Sequence, residues 1–316
     1  MLSDAAEYAS FKNCALMLFS GVLFSLAFAP FNLWPLAVVS LALLFRFSFS
    51  PTKRSTFIKG WFFGLGMFLS GIHWTYWPIG IYGTGGEVGG VFLTLGFNMF
   101  LALYPALVVW VGAYFSRRSG LRLLVVLPAL WVLSEWLRSW FLTGFPWLLT
   151  GHAMVDSPAA TLAPIGGTFL LSLLVAVTAA FLAWAIGRVY WRLVVVLPVI
   201  GIWFGAVAMP VEWWTAADGN DLTVGIVQGN ISQENKWKPS YRALTMSRYR
   251  EMTEPLWEKT DFIVWPETAV PDFLHYVVDD YLMPLKQRAV NEGKTLVLGV
   301  PVFEHENFRY FNSVLA

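Results

Sequence analysis

Positive charge is confined to alternate connections between apolar runs, and this pattern constrains the fold of the chain more than any other feature. Because short cytoplasmic loops hold most of the positive charge in membrane proteins, the pattern predicts a cytoplasmic N-terminus. Apolar runs of near membrane-spanning length occupy roughly residues 12–29, 33–49, 57–79, 90–115, 121–141, 165–187 and 192–210. The connections after the second, fourth and sixth runs hold Arg46, Lys53, Arg54, Lys59, Arg117, Arg118, Arg122, Arg188 and Arg192, and the others hold no Lys or Arg.

An odd number of spans places everything after Pro210 outside the cytoplasmic membrane, and the charge balance changes at the same point. Residues 1–210 carry eleven Lys and Arg against five Asp and Glu, whereas residues 211–316 carry ten against fifteen. The expected organisation is a seven-span transmembrane helical domain over 1–210 and an extracytoplasmic, water-soluble domain over 211–316. A near-neutral total charge without a basic stripe argues against nucleic acid as a partner.

The part of the chain after residue 220 alternates between strand and helix patterns. One predicted helix carries Leu244, Met252 and Leu256 on one face, and the other ends at Gly293. An order of strand, helix, strand, helix, strand is typical of α/β folds. The predicted strands cover residues 222–228, 262–265, 294–302 and 310–315, and the predicted helices cover 240–259 and 279–292.

Glu267 is the most informative polar residue, because it follows a short buried strand and a proline. The segment from Asp261 to Val270 reads DFIVWPETAV. Pro266 cannot donate a ladder hydrogen bond, so the strand is expected to end there. The next residue is then a carboxylate at the C-terminal edge of a strand, where α/β sheets tend to place their chemistry. A carboxylate that merely caps the turn is the alternative.

The strand, Pro266 and Glu267 together resemble the glutamate motif of the nitrilase superfamily, whose members use a Glu-Lys-Cys triad. Joined to several apolar runs, the motif is similar to that of the apolipoprotein N-acyltransferase family. The similarity extends to Val227–Asn230 at the end of the first predicted strand and to Leu142–Trp147 beside the fifth apolar run. It implies a polytopic helical membrane domain followed by the opening part of an αββα nitrilase-like (CN hydrolase) sandwich.

The resemblance implies transfer of an acyl chain from a phospholipid to the N-terminal amine of diacylglyceryl-cysteine in apolipoproteins, through a cysteine thioester. Glu267 is expected to be the general base, and partial burial would assist its proton exchange. Lys236 and Trp237 match a Lys-Trp pair of the family; Trp237 is expected either to line the substrate pocket or to pack its loop onto the sheet. No metal or nucleotide cofactor is implied. The implied location is the bacterial inner membrane, with residues 211–316 in the periplasm.

The lysine and the nucleophilic cysteine of the triad are expected beyond Ala316, so the sequence should cover about the first three-fifths of such a protein and be inactive alone. Lys286 and Lys294 fit no lysine motif of the family. Cys14, the single cysteine, lies in the first apolar run and supports neither a disulfide nor a cysteine metal site within one chain. A membrane-anchored amidase of the same superfamily and a non-catalytic remnant are the open alternatives. A secondary transporter is disfavoured, because no internal repeat is evident.

Two further groups of polar residues require an interpretation. Glu135 and Arg138 lie three residues apart in the fifth apolar run, so they share a helix face. Charges at membrane depth usually face protein or a water-filled cavity, and both an intrahelical ion pair and a role in lipid access remain open. The four histidines show no metal-ligand spacing, and structural roles are expected for His73, His152, His275 and His305.

Overall fold

The computed structural model describes residues 2–83, 85–115, 119–186, 193–208 and 219–316. The chain divides into two compact units, Met1–Ala216 and Ala217–Ala316. The predicted domain boundary at Pro210 lies outside the described residues. So do four of the charged loop residues, Arg117, Arg118, Arg188 and Arg192.

The described part of the first unit is built from helices, and helix is present in each of the predicted apolar runs. The α-helices are α1 (Leu2–Ser25), α2 (Pro35–Phe47), α3 (Lys53–Gly71), α4 (Gly86–Leu101), α5 (Leu103–Phe115), α6 (Ser119–Leu121), α7 (Leu127–Arg138), α8 (Ala163–Ala185) and α9 (Leu193–Ala208). Single 3-10 or π turns cover His73–Thr75, Trp77–Ile81, Arg122–Val126, Phe141–Thr143, Thr150–Met154 and Pro158–Leu162.

Two helical stretches of the described chain are long and apolar enough to cross a membrane. They are Gly86–Phe115, which contains α4 and α5, and Pro158–Ala185, which contains α8. Lys12–Ser25 and Pro35–Phe47 are apolar but shorter. These lengths support a membrane domain, and the number of seven spans stays a prediction.

Glycines bring α1, α3 and the α4–α5 junction into backbone contact. A Cβ atom added at Gly66 of α3 would lie 2.0 Å from the Leu18 carbonyl oxygen of α1. One added at Gly21 of α1 would lie 2.0 Å from the Phe63 carbonyl oxygen, so the contact is reciprocal. Small residues at a helix interface allow this close approach, which is a common way of packing helices in membranes.

Substitution of Gly66 by alanine should therefore destabilise the first unit, because the new methyl group meets backbone that has no room to move. Overpacking of this kind costs about 1–3 kcal/mol. We expect Gly66→Ala to lower the thermal unfolding temperature in detergent. The matched control is Gly96→Ala in α4, where nothing lies within 4 Å of the added Cβ atom. Equal unfolding temperatures for the two variants would contradict the backbone contact between α1 and α3.

The core of the first unit is centred on the indole of Trp131, which is 2% exposed. Phe24 of α1 and Phe63 of α3 meet it edge-on, with ring centroids at 5.9 Å and 6.2 Å. The indole nitrogen donates to the hydroxyl of Thr150 at 2.8 Å, so its polar group is satisfied inside the core. Trp131 thereby connects α7 to two neighbouring helices and to the turn after residue 149.

The second unit contains one four-stranded mixed sheet with the order β1-β2-β3-β4. The strands β1 (Val224–Ile226), β2 (Phe262–Val264) and β3 (Thr295–Glu304) are parallel, and β4 (Arg309–Leu315) is antiparallel to β3. All four strands were predicted, although β1 is shorter than residues 222–228, because it is an edge strand that pairs with β2 only from Val224 to Ile226. The first three residues of β3 pair with β2, and its last seven pair with β4.

Helices connect the strands of the second unit. They are α10 (Gln233–Lys236), α11 (Pro239–Thr253), α12 (Leu274–Val277) and α13 (Met283–Glu292), with a 3-10 turn at Glu254–Leu256 and a π turn at Val278–Leu282. The predicted stop at Gly293 is confirmed, because this residue adopts a left-handed φ of 65° that glycine tolerates without strain. Leu285 and Ala289 of α13 are buried.

The buried face of α11 is not the face that carries Leu244 and Met252. Leu244 and Met252 are 56% and 41% exposed, whereas Thr245, Tyr249 and Thr253 of α11 are buried. The aromatic ring of Tyr249 packs on the sheet, and the two threonine hydroxyls lie on the same face one turn away. Spacing alone could not choose between two rows of residues that are offset by one position.

Candidate active site

Glu267 lies where the sequence predicts it, three residues after the end of β2. Ile263 at the centre of β2 is fully buried, and Trp265 is 3% exposed. The strand ends at Val264, one residue earlier than predicted, although the Trp265 N–H still donates to the Val297 carbonyl of β3 at 2.8 Å. Pro266 and Glu267 are both exposed. The chain therefore passes from a buried anchor to an exposed carboxylate within two residues.

Trp265 is the anchor that holds this transition in place. Its indole nitrogen donates to the Thr253 hydroxyl at 2.8 Å, and its ring lies 5.0 Å from that of Tyr249 and 6.3 Å from that of Tyr281. Burial raises the pKa of both tyrosines, so both phenols stay neutral at physiological pH. The Tyr281 hydroxyl donates to the Met246 carbonyl at 2.8 Å. The end of the strand that precedes Glu267 is thus fixed by the contacts of Trp265 with an aromatic cluster.

The turn that contains Glu267 and Thr268 is also fixed by its close approach to β3. A Cβ atom at Gly299 would lie 2.5 Å from the Thr268 nitrogen and 2.8 Å from the Glu267 Cα atom. Thr268 has a φ of 49°, an uncommon conformation for a β-branched residue. The Val270 N–H donates to the Gly299 carbonyl at 3.3 Å. Glycine at 299 is therefore required by the path of the backbone around Glu267.

The carboxylate of Glu267 is held by one side chain among the described residues. The Asn312 amide of β4 donates to Glu267 Oε1. Lys236 reaches the same residue from the other side, with its Nζ 3.5 Å from the Glu267 carbonyl oxygen rather than from the carboxylate. The expected partial burial is wrong, because the residue is exposed and lies on an open surface.

Trp237 lies directly after α10, whose last residue is Lys236. The contact of Lys236 with the Glu267 backbone brings the predicted Lys-Trp pair to the candidate base. The Trp237 side chain is 56% exposed. This exposure argues against packing onto the sheet, and its role in substrate binding stays a prediction.

An open cavity of about 340 Å³ lies beside the carboxylate. Its walls come from the ends of β2 and β3 and from the facing part of β4, including Trp265, Glu267, Gly299 and Asn312. A larger apolar cavity of about 400 Å³, between α13 and β3, does not include Glu267. We assign the candidate site to the smaller cavity, because it contains the carboxylate.

Lys294 lies at the other end of the sheet from Glu267. Its Nζ is 3.6 Å from Asp261, which precedes β2, whereas Glu267 follows this strand. The Thr223 backbone N–H, and after it Lys294, lower the pKa of Asp261. The lysine therefore belongs to a surface ion pair at the N-terminal edge of the parallel strands.

Two of the histidines contact each other in the second unit. His275 and His305 are distant in sequence, but their rings meet at 5.3 Å in an exposed aromatic group that also contains Phe303 and Tyr310. In the described parts of the chain no group of three or more His, Cys, Asp or Glu side chains could hold a metal ion. His275 lies on α12 and His305 in the turn between β3 and β4, so sequence spacing does not reveal their contact.

Glu135 and Arg138 are both buried in the first unit, but they do not form the ion pair that was one of the two interpretations. The Thr150 N–H and hydroxyl donate to Glu135 Oε1 at 2.7 Å and 2.6 Å. The Arg138 guanidinium donates to the carbonyls of Phe145, Trp147 and Leu148. Both side chains therefore hold the segment from 145 to 150, which includes part of the stretch that resembles the family.

We expect Gly299→Ala to destabilise the second unit and to displace Glu267, because the added methyl group meets backbone atoms of the glutamate turn. The comparison variant is Gly225→Ala in β1. Its Cβ atom would meet only the flexible ends of Leu256 and Thr260, at 3.1 Å. Thermal unfolding and hydrogen exchange at residues 266–270 measure the effect. A smaller loss for Gly299→Ala than for Gly225→Ala would contradict the close approach.

Comparison with known proteins shows what the chain is similar to. Residues 20–181 match the family model described as the apolipoprotein N-acyltransferase N-terminal domain. A protein named apolipoprotein N-acyltransferase from Methylococcus capsulatus is 37% identical over 307 residues, which are 96% of this chain and 60% of the relative. Proteins of the same name from Vibrio vulnificus and Pseudomonas paraeruginosa are 36% and 38% identical over 94% and 95% of this chain, and 58% and 60% of their own length is covered. The chain thus spans about three-fifths of the relatives' length.

Proposed function

This chain belongs to the apolipoprotein N-acyltransferase family, and we propose that it supplies the membrane domain and the general base for acyl transfer to lipoproteins. The acyl donor is a phospholipid, and the acceptor is the N-terminal amine of a diacylglyceryl-cysteine. The observation that carries the proposal is the Glu267 carboxylate, which lies after a strand-ending proline and beside an open cavity.

In the proposed reaction Glu267 accepts a proton in each of two half-reactions, thioester formation and acyl transfer to the amine. It first takes the proton of a cysteine thiol, and the thiolate attacks the ester carbonyl of the phospholipid. A thioester forms, and the lysophospholipid leaves as an alcohol that takes up the proton. The acceptor amine then attacks the thioester, Glu267 takes the amine proton, and the cysteine sulfur leaves and is protonated again. Covalent catalysis of this kind replaces one difficult exchange by two easier ones.

The cysteine nucleophile and the lysine that stabilises the oxyanion are assigned to the part of the relatives' length that this chain does not span. Lys236 approaches Glu267 but contacts its backbone carbonyl, and Lys294 pairs with Asp261 at the far end of the strand. Neither position suits an oxyanion beside the Glu267 carboxylate. The match to the relatives includes the membrane helices, which favours a lipid substrate over the soluble amide of an anchored amidase.

We expect Glu267→Gln to reduce the rate of thioester formation by about 10²-fold or more in the full-length protein, because the amide keeps the shape of the side chain but cannot accept a proton. The measurement is single-turnover transfer from a labelled phospholipid, with the thioester released by neutral hydroxylamine.

Glu258→Gln is the control for this experiment, because Glu258 is an exposed carboxylate of the same unit. Its rate should equal that of the unmodified protein. Near-normal thioester formation by Glu267→Gln would reduce Glu267 to a structural carboxylate. Absence of thioester in the unmodified full-length protein would favour the non-catalytic remnant.

We also propose that the second unit lies on the outer side of the bacterial inner membrane, because positive charge is confined to alternate connections of the first unit. In a Cys14→Ser background, single cysteines at the exposed positions Thr52 and Ser240 should react with an impermeant thiol reagent from opposite sides. Reaction of both from the same side would contradict the proposed topology.

A further inference from the structure

Asn312 occupies a position at the candidate base that the sequence patterns do not reveal. Its amide donates to Glu267 Oε1, and among the described residues it is the only side chain that donates to this carboxylate. The second oxygen, Oε2, has no hydrogen-bond partner in the described part of the chain, and Glu267 and Asn312 both line the open cavity. The carboxylate is thus held by one oxygen and open at the other.

The register of the β3–β4 hairpin places Asn312 there. Gly299 pairs with Val314, and Pro301 pairs with Asn312. Paired residues of antiparallel strands point to the same face, as do residues two apart on one strand. Asn312 therefore shares a face with Gly299, and this is the face on which the glutamate turn lies against β3.

The donor and acceptor groups fix which end of the amide meets the carboxylate. An ionised carboxylate only accepts hydrogen bonds, so the amide nitrogen must face it. The amide oxygen points to the Thr268 hydroxyl, whose Oγ1 donates to Asn312 Oδ1 at 3.4 Å. The side chain of Asn312 thus spans two successive residues of the turn, Glu267 and Thr268.

We propose that Asn312 is a positioning residue for the acyl-transfer reaction, which holds Glu267 Oε1 so that Oε2 faces the reacting proton. The inference rests on the proposed role of Glu267 as general base. A neutral amide orients the carboxylate without bringing a charge to it, whereas a lysine or arginine partner would form a stronger, charge-assisted bond. An exposed glutamate side chain is otherwise free to rotate, and a base must lie within about 3 Å of the proton that it removes.

Two substitutions in the full-length protein test the proposal. Asn312→Leu removes the donor at similar size, and Asn312→Asp keeps the shape but replaces the donor by a second carboxylate. Both should reduce single-turnover thioester formation by about tenfold or more, the scale set by one hydrogen bond to a charged group. The KM for phospholipid and the unfolding temperature should stay unchanged. Asn307→Leu is the matched control, because Asn307 of the same hairpin donates to Glu304 at 3.1 Å instead.

A double-mutant cycle separates positioning from a structural role. If Asn312 acts through the Glu267 carboxylate, Asn312→Leu should change the residual rate of Glu267→Gln by less than about twofold. An equal loss in both backgrounds, or a normal rate for either Asn312 variant alone, would overturn the proposal. Failure of Glu267→Gln itself to slow the reaction would instead refute the proposed function, so the two failures are distinguishable.

Discussion

The position of Glu267 depends on a backbone-to-backbone contact between Gly299 of β3 and the turn that follows β2. A side chain at 299 would occupy the space of the Glu267 Cα atom, so no other residue leaves the turn where it is. The turn also contains a left-handed threonine, Thr268, and strained conformations persist only where the surroundings hold them. Here the surroundings are the buried Trp265, the close backbone contact with Gly299 and the hydrogen bond from Asn312.

The first unit solves a related problem with charged side chains. Backbone carbonyls that are buried outside helices lose their hydrogen bonds to water, so they need donors from the protein. Arg138 donates to the carbonyls of three residues between 145 and 148, and Glu135 accepts from Thr150, whose hydroxyl also accepts the Trp131 indole N–H. The two buried side chains thereby shape one non-helical segment beside α7.

Much of the fold could be predicted from the sequence, because local chemistry determines it. Pro266 ends a strand, Gly293 ends a helix, and the placement of Glu267 follows from both periodicity and proline. The errors share a cause, since spacing shows which residues share a face but not what that face meets. The row of α11 that contains Leu244 is therefore not the buried one, and the ion pair, one of the two interpretations of Glu135 and Arg138, does not form. Asn312 was missed because its contact with Glu267 depends on strand register rather than on any local pattern.

The hairpin register has a consequence for the lengths that this protein tolerates. The exposed turn between Glu304 and Arg309 lies beyond the last pair of the ladder. An insertion there therefore leaves every residue pair between β3 and β4 unchanged, including the pair of Pro301 and Asn312. One residue inserted within β4 before Asn312 would turn this side chain to the opposite face of the sheet. Among functional relatives, length variation should therefore occur at the tip of the hairpin and be absent from its ladder.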